Sequence, residues 1–121
     1  MIHISDKSRY LLYNADTDMR KSFPGLAAIV KYKMQSDVLS GDIYIFISKR
    51  RNAIKLLRFE GDGFAIFYKR LEKGTFEIPV HDSLSQAMPV GDKELIFIIK
   101  GVALKSIKYR PRYPQKAAVC E

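Results

Sequence analysis

The stretch IYIFISKRRNAIKLLRFEGDGFAIFYKR, residues 43–70, decides the fold. Its first five residues are all apolar, so an extended chain here is apolar on both faces. That pattern belongs to a central strand covered on both sides. SKRRNA turns the chain, IKLLRF supplies a second strand, EGDG turns again, and FAIFYKR supplies a third. Gly61 and Gly63 suit the second turn because glycine reaches positive φ without steric cost. On the third strand Phe64, Ile66 and Tyr68 share one face, and Ala65, Phe67 and Lys69 share the other. The block reads as an antiparallel β-meander. Strand pairing then brings its two basic ends, Lys49–Arg51 and Lys69–Arg70, close together in space.

Upstream, RYLLYN (9–14) reads as a short strand rich in tyrosine and leucine. ADTDMRKSFPGLAAIVKYKM reads as helical, with Asp16 or Thr17 able to cap a first turn and Asp18 suited to the positive end of the dipole. Pro24 cannot sit in a helix interior. The main helix therefore restarts with Ser22 as N-cap and Pro24 in the tolerated first turn. Leu26, Ile29, Val30 and Met34 then form one apolar stripe at helical spacing. SDVLSGD is a loop. Downstream, LEKG and TFEIPV add a short fourth strand, confined to an edge or ended by Pro79, and HDSLSQAMPVGD reads as a loop. KELIFIIKG has the β-branched residues of a strand, but Asp92 and Gly101 offer the start and stop of a two-turn helix. At this level the two readings stay open. The second apolar face of 43–47 asks for cover from this 92–100 element or from a second subunit.

The fold class is thus α+β: a mainly antiparallel β-meander of four or five strands, one main helix (22–34) packed on the sheet, and a short C-terminal helix. One domain spans 1–107. A basic tail, 108–121, follows; Pro111 and Pro114 argue against regular structure in it, and it is expected to be flexible.

Of the 121 residues 47% are apolar, which a folded core requires and disorder does not permit. Twenty-one basic against 13 acidic residues leave a formal charge of +8 and a pI near 9.6. Lys49, Arg50, Arg51, Lys55 and Arg58 form one acid-free window. Lys100, Lys105, Lys108, Arg110, Arg112 and Lys116 form another. Such segregation fits a polyanion footprint better than a solvated surface of mixed sign. No apolar run reaches the ~20 residues of a membrane helix. MIHISDKSRY has neither the basic nor the apolar region of a signal peptide, so the expected compartment is the cytoplasm. Cys120, the sole cysteine, can form no intramolecular disulfide.

Catalytic chemistry finds little support. His3 and His81 have no metal-like spacing, and adjacent His81 and Asp82 point apart on an extended chain. Asp16, Asp18, Glu60 and Asp62 could be imagined as a two-metal nuclease site, but helix starts and turns use them better. No nucleophile motif or phosphate-binding glycine loop occurs. The sequence implies no enzyme, no cofactor and no metal. Its candidate contact residues are Lys49, Arg50 and Arg51 at a hairpin tip, Lys69 and Arg70 beside it, and Lys108, Arg110 and Arg112, interleaved with Tyr109 and Tyr113, in the tail. Lys55 and Arg58 fall on opposite faces of their strand and cannot both join that surface.

DMRKSFPGLAAIV (18–30), IYIFISKRRNAIKLLRFEGDGFAIFYKRLEKGTF (43–76) and IIKGV (98–102) follow one another at spacings that resemble a known family. It is the TnpB, or Orf-two-like, accessory protein family of bacterial insertion-sequence family sixty-six. The resemblance runs from Tyr10 to about Tyr113. It departs from the family's pattern at Pro24, at Ser48 and at Glu77–Ile78. It implies a role in transposition beside a separate transposase that does the cutting and joining. The implied partners are DNA, in particular the ends of the element, and the transposase itself. A module that docks the transposase without touching DNA is the alternative. An RNA-binding regulator is a third reading, and self-association into a homo-oligomer stays open.

Overall fold

The computed structural model describes residues 4–5, 7–78 and 85–101. It is a five-stranded mixed sheet with one helix on each face. In chain order the elements are β1 (Tyr10–Asp16), α1 (Phe23–Tyr32), β2 (Ile43–Ile47), β3 (Ala53–Phe59), β4 (Phe64–Arg70), β5 (Ala87–Val90) and α2 (Asp92–Lys100), with a 3-10 turn at Val38–Ser40 between α1 and β2. The sheet order is β4-β3-β2-β1-β5. β2, β3 and β4 form the antiparallel meander read from the sequence. β1 joins it parallel to β2, and α1 supplies the crossover that a parallel pair needs. β5 adds antiparallel to β1 at the far edge.

The side-chain period of two divides the core cleanly. On one face Leu11, Tyr44, Phe46 and Leu57 pack under Leu26, Val30 and Met34 of the α1 segment. On the other, Leu12, Ile43, Ile45, Ile47, Ile54 and Leu56 pack under Leu95 and Ile98 of α2. All five residues of β2 are buried, so the second cover expected for 43–47 is α2 of the same chain. Tyr44 carries a hydroxyl into this core and satisfies it by donating to the Asp37 carbonyl at 2.8 Å. Desolvation pushes that phenol's pKa up.

α1 begins as expected, with Ser22 at the N-cap and Pro24 in the first turn, although the Ser22 side chain makes no capping bond. Residues 92–100 are helical: Gly91 is the N-cap, with Glu94 Oε1 accepting from its N–H at 3.4 Å, and Gly101 closes the helix at φ 81°.

Two expectations are corrected. The described part of TFEIPV, residues 75–78, is not a strand. Phe76 instead plugs the α2-side core while its N–H bonds the Arg51 carbonyl at 2.7 Å, so burial of one ring, not ladder pairing, fixes this segment. The fifth strand comes from AMPV (87–90), inside the segment read as a loop. Four residues containing a proline carry no strand signal of their own. The ladder to β1, from Tyr10↔Val90 to Tyr13↔Ala87, is what orders them. No helix among the described residues is long and apolar enough to cross a membrane.

Candidate nucleic-acid interface

The loop between β2 and β3 is braced from within. The Ser48 N–H donates to the Ala53 carbonyl, and the Ser48 hydroxyl accepts from the Ala53 N–H while donating to Asn52 Oδ1. The Arg51 N–H closes a turn onto the Ser48 carbonyl at 2.9 Å. Arg51 takes a left-handed conformation, φ 59°, which is uncommon for a residue with a Cβ. From outside, Leu71 N–H and Phe76 N–H bond the carbonyls of Asn52 and Arg51, both at 2.7 Å. The loop is therefore held at four backbone positions, and its basic side chains are displayed from a fixed base.

An open groove of about 360 Å³ lies beside this loop. Lys49 and Arg50 line one wall, Tyr68 and Arg70 of β4 another, and Thr17, Asp18 and Met19 after β1 a third. Arg70 reaches it because it pairs with Ala53, the first residue after the loop. The β1-side wall is held at Thr17, whose N–H bonds the Ile47 carbonyl at 2.9 Å, and the chain just past it is tied to β3 by Lys55. This lysine is only 9% exposed, donates its ammonium to the Lys21 carbonyl at 2.7 Å, and sits 5.1 Å from the Tyr68 ring centroid. Tyr68 keeps half its surface exposed to the groove side.

The charge balance favours anions. Asp18 is the one carboxylate in the lining, and it is spoken for. Arg20 bonds it at 2.7 Å through Nη2 and at 3.1 Å through Nε, which lowers its pKa to about 2. Lys49, Arg50 and Arg70 have no ion-pair partner among the described residues. Thr17 contributes only its outer atoms: it is 3% exposed, and its hydroxyl is closed to solvent and has no hydrogen-bond partner among the described residues. Two guanidiniums and an ammonium around the groove can bind phosphate oxygens, while a half-exposed tyrosine offers a stacking face.

The sequence-predicted residues separate. Lys49, Arg50 and Arg70 share the groove, as the meander implied. Arg51 is turned to a neighbouring concavity lined by Leu12 to Asp16, Ile47, Ser48 and Ile78. Lys69 does not join them. It lies on the opposite face of β4 and donates to the Ile99 carbonyl at 3.0 Å, near the end of α2. Lys55 and Arg58 fall on opposite faces, as read. Lys108, Arg110 and Arg112 lie outside the described residues, as do His3, His81 and Cys120. Thr17, Tyr68 and the Lys55 bond carry no signal of their own in the sequence. The helical start expected at Asp16–Asp18 is corrected: Asp16 ends β1, which pairs with Ile47, and 17–22 form a turn before α1. Among the described residues no group of three His, Cys, Asp or Glu could hold a metal ion.

Comparison with known proteins bears on what such a groove serves. The profile of the IS66 Orf2-like protein family matches residues 8–109. The chain belongs to this family. Two proteins of Sinorhizobium fredii (strain NBRC 101917 / NGR234) are among the relatives of this IS66 Orf2-like chain. The uncharacterized protein y4jC is 29% identical over 120 residues, covering 98% of this chain and all of the relative. The uncharacterized protein y4hO is 26% identical over 102 residues, covering 84% and 87% of the two chains. No solved structure gives a significant match. The IS66 Orf2-like family is one of accessory, non-catalytic proteins of IS66 transposition.

Proposed function

We propose that this IS66 accessory protein binds DNA by seating backbone phosphates in the groove between the β2–β3 loop and the end of β4. One observation carries the reading: Lys49, Arg50 and Arg70 converge, without ion-pair partners among the described residues, on a groove whose one described carboxylate is already paired with Arg20. The guanidiniums engage phosphate oxygens, and Lys49 acts as a point charge. Tyr68 stacks on a base or sugar at the groove mouth. These contacts position the protein and carry no sequence information of their own. Lys108, Arg110 and Arg112 add to the same polyanion preference by charge. The protein's task is then to hold element DNA in a transposition complex in the cytoplasm while the transposase supplies the chemistry.

Fluorescence anisotropy with duplex DNA carrying the element's ends tests this. Three phosphate contacts contribute a slope of about −2.7 to log K against log salt, so raising salt from ~50 to ~200 mM costs about 40-fold through these residues alone. The Lys49→Ala/Arg50→Ala/Arg70→Ala variant should lose that part of the slope on every sequence tried. Absence of wild-type binding at ~50 mM salt, or an unchanged slope in the triple variant, overturns the proposal. Loss of transposase co-purification in the variant, with negligible DNA affinity in both proteins, would point to the docking module instead.

A further inference from the structure

The two edges of the sheet differ. At the β5 edge the outward positions are Ala87 and Pro89. The hydrogen bond from Asn14 N–H to Gln86 O, in register with Leu12↔Met88 and Tyr10↔Val90, sets this alternation. Pro89 has no N–H to offer. Ser85 Oγ bonds both the N–H and the carbonyl of Ala87, at 3.2 and 3.0 Å. The edge therefore presents no free donor along its four residues.

The β4 edge is open among the described residues. Leu71 N–H to Asn52 O and Glu60 N–H to Gly63 O mark the hydrogen-bonded pairs with β3. The backbone groups of Phe64, Ile66, Tyr68 and Arg70 consequently point away from the sheet, and none has a partner among the described residues. The strand is seven residues long and has no proline and no bulge. Its guard residue is disarmed, because Lys69 is turned under α2 and held by the Ile99 carbonyl. Ile66 and Tyr68 stand 37% and 50% exposed along this edge. An unguarded edge with exposed apolar side chains is a template for strand addition.

We propose that a second copy of this chain occupies the β4 edge, pairing β4 antiparallel with β4 of its twin and joining the two five-stranded sheets into one. Charge selects that occupant. Glu60 and Asp62 sit in the turn before β4; exposed Arg70 ends the strand and Glu72 and Lys73 follow it, while Lys69 stays bonded beneath α2. Antiparallel self-pairing sets the acidic turn of each copy beside the cationic end of the other, whereas parallel pairing stacks like charges. With Phe67 on the two-fold axis, Ile66 faces Tyr68 of the twin, and Phe64 faces Arg70. Both α1-side faces then lie on one side of the joined sheet. The two Arg70 positions fall about 20 Å apart along the strands, at six residues and ~3.4 Å each. The dimer therefore presents two grooves on a single surface. The pairing rests on backbone edges and holds whether or not those grooves bind DNA.

Light scattering on the eluting protein over a wide range of loading concentrations, with DNA absent, tests the inference. Wild type should approach twice the 13.9 kDa chain mass. Ile66→Pro places at the β4 edge the guard that Pro89 supplies at β5, without removing a bond to β3, and should yield monomer. Ile66→Lys is the second variant, for the case in which proline unfolds the edge. Amide hydrogen exchange reads the same contact. The outward amides of Phe64, Ile66, Tyr68 and Arg70 should be protected in wild type, and those of Phe64, Tyr68 and Arg70 should exchange freely in Ile66→Lys. The inward amides of Ala65, Phe67 and Lys69 stay protected in both. A wild type that remains monomeric throughout, or a dimer that survives both substitutions, overturns the proposal.

Discussion

Lys55 provides a sharp test of how the groove is built. Its ammonium is nearly buried, donates to the Lys21 carbonyl at 2.7 Å, and lies over Tyr68. Lys55→Met keeps most of the aliphatic stem and removes only the charged head. A hydrogen bond from a charged donor contributes about 1.5–3 kcal/mol, and the cation–π contact about 0.5–2 kcal/mol. Release of the ammonium's desolvation cost offsets part of that sum, and the net loss comes to about 1–2 kcal/mol. For a chain of this size the melting temperature should fall by about 4–8 °C. The variant should also bind DNA more weakly, since the 18–21 stretch loses its bond to β3 at Lys21, while Thr17 N–H keeps its own bond to the Ile47 carbonyl. Its salt slope should not change, because Lys55 spends its charge on a carbonyl and touches no phosphate. Calorimetry and salt-titrated anisotropy on one preparation read both effects. A melting temperature within ~1 °C of wild type would mean that the tie contributes nothing. A slope reduced by about 0.9 would mean that Lys55 itself meets a phosphate. Either result refutes the reasoning.

Two further outcomes separate neighbouring residues. Lys69→Met should lower the melting temperature by about 2–6 °C through loss of its bond to the α2 end, yet leave DNA affinity and its salt slope unchanged, whereas Arg70→Ala should do the reverse. Asp18 has a folded pKa lowered to about 2 by Arg20, below its ordinary 3.8. It therefore stabilises the fold above the ordinary value, and that contribution is lost as pH falls through 3.8 toward 2. Because the pair is solvent-exposed the effect is small. Carbon-detected NMR should find the Asp18 carboxyl titrating near 2 in wild type and near its ordinary value in Arg20→Ala.

Much of this architecture is legible in the chain because its signals are local. The all-apolar IYIFI reads as a strand covered twice, and the alternation in FAIFYKR sorts its side chains into the two faces that the structure shows. What escaped depends on distant partners. AMPV has four residues and a proline, and becomes a strand only because β1, more than seventy positions earlier, leaves an edge for it. TFEIPV has strand-like composition, but one buried ring settles its path. The basic cluster was readable as a footprint, yet the reach of each cation was not. Lys69 and Arg70 are adjacent in sequence and end on opposite faces, one beneath α2 and one in the groove. Thr17 gave no signal, since an unpartnered hydroxyl is visible only once its surroundings are known.

The position of β1 has a consequence for how the chain comes together. β1 precedes the other described strands, yet it lies between β2 and β5, and its last partner is complete only at Val90. A nascent chain ending at Ile78 has β1 to β4 and α1, but one side of β1 stays unpaired and the α2-side core stays bare. Pairings of such long sequence separation form late and slowly. Closure of β1 by the hairpin-like return of 87–90, followed directly by α2, makes completion of the fold wait until residues 87–100 are available. Truncations before Lys100 should then give collapsed, aggregation-prone species, not a smaller stable domain.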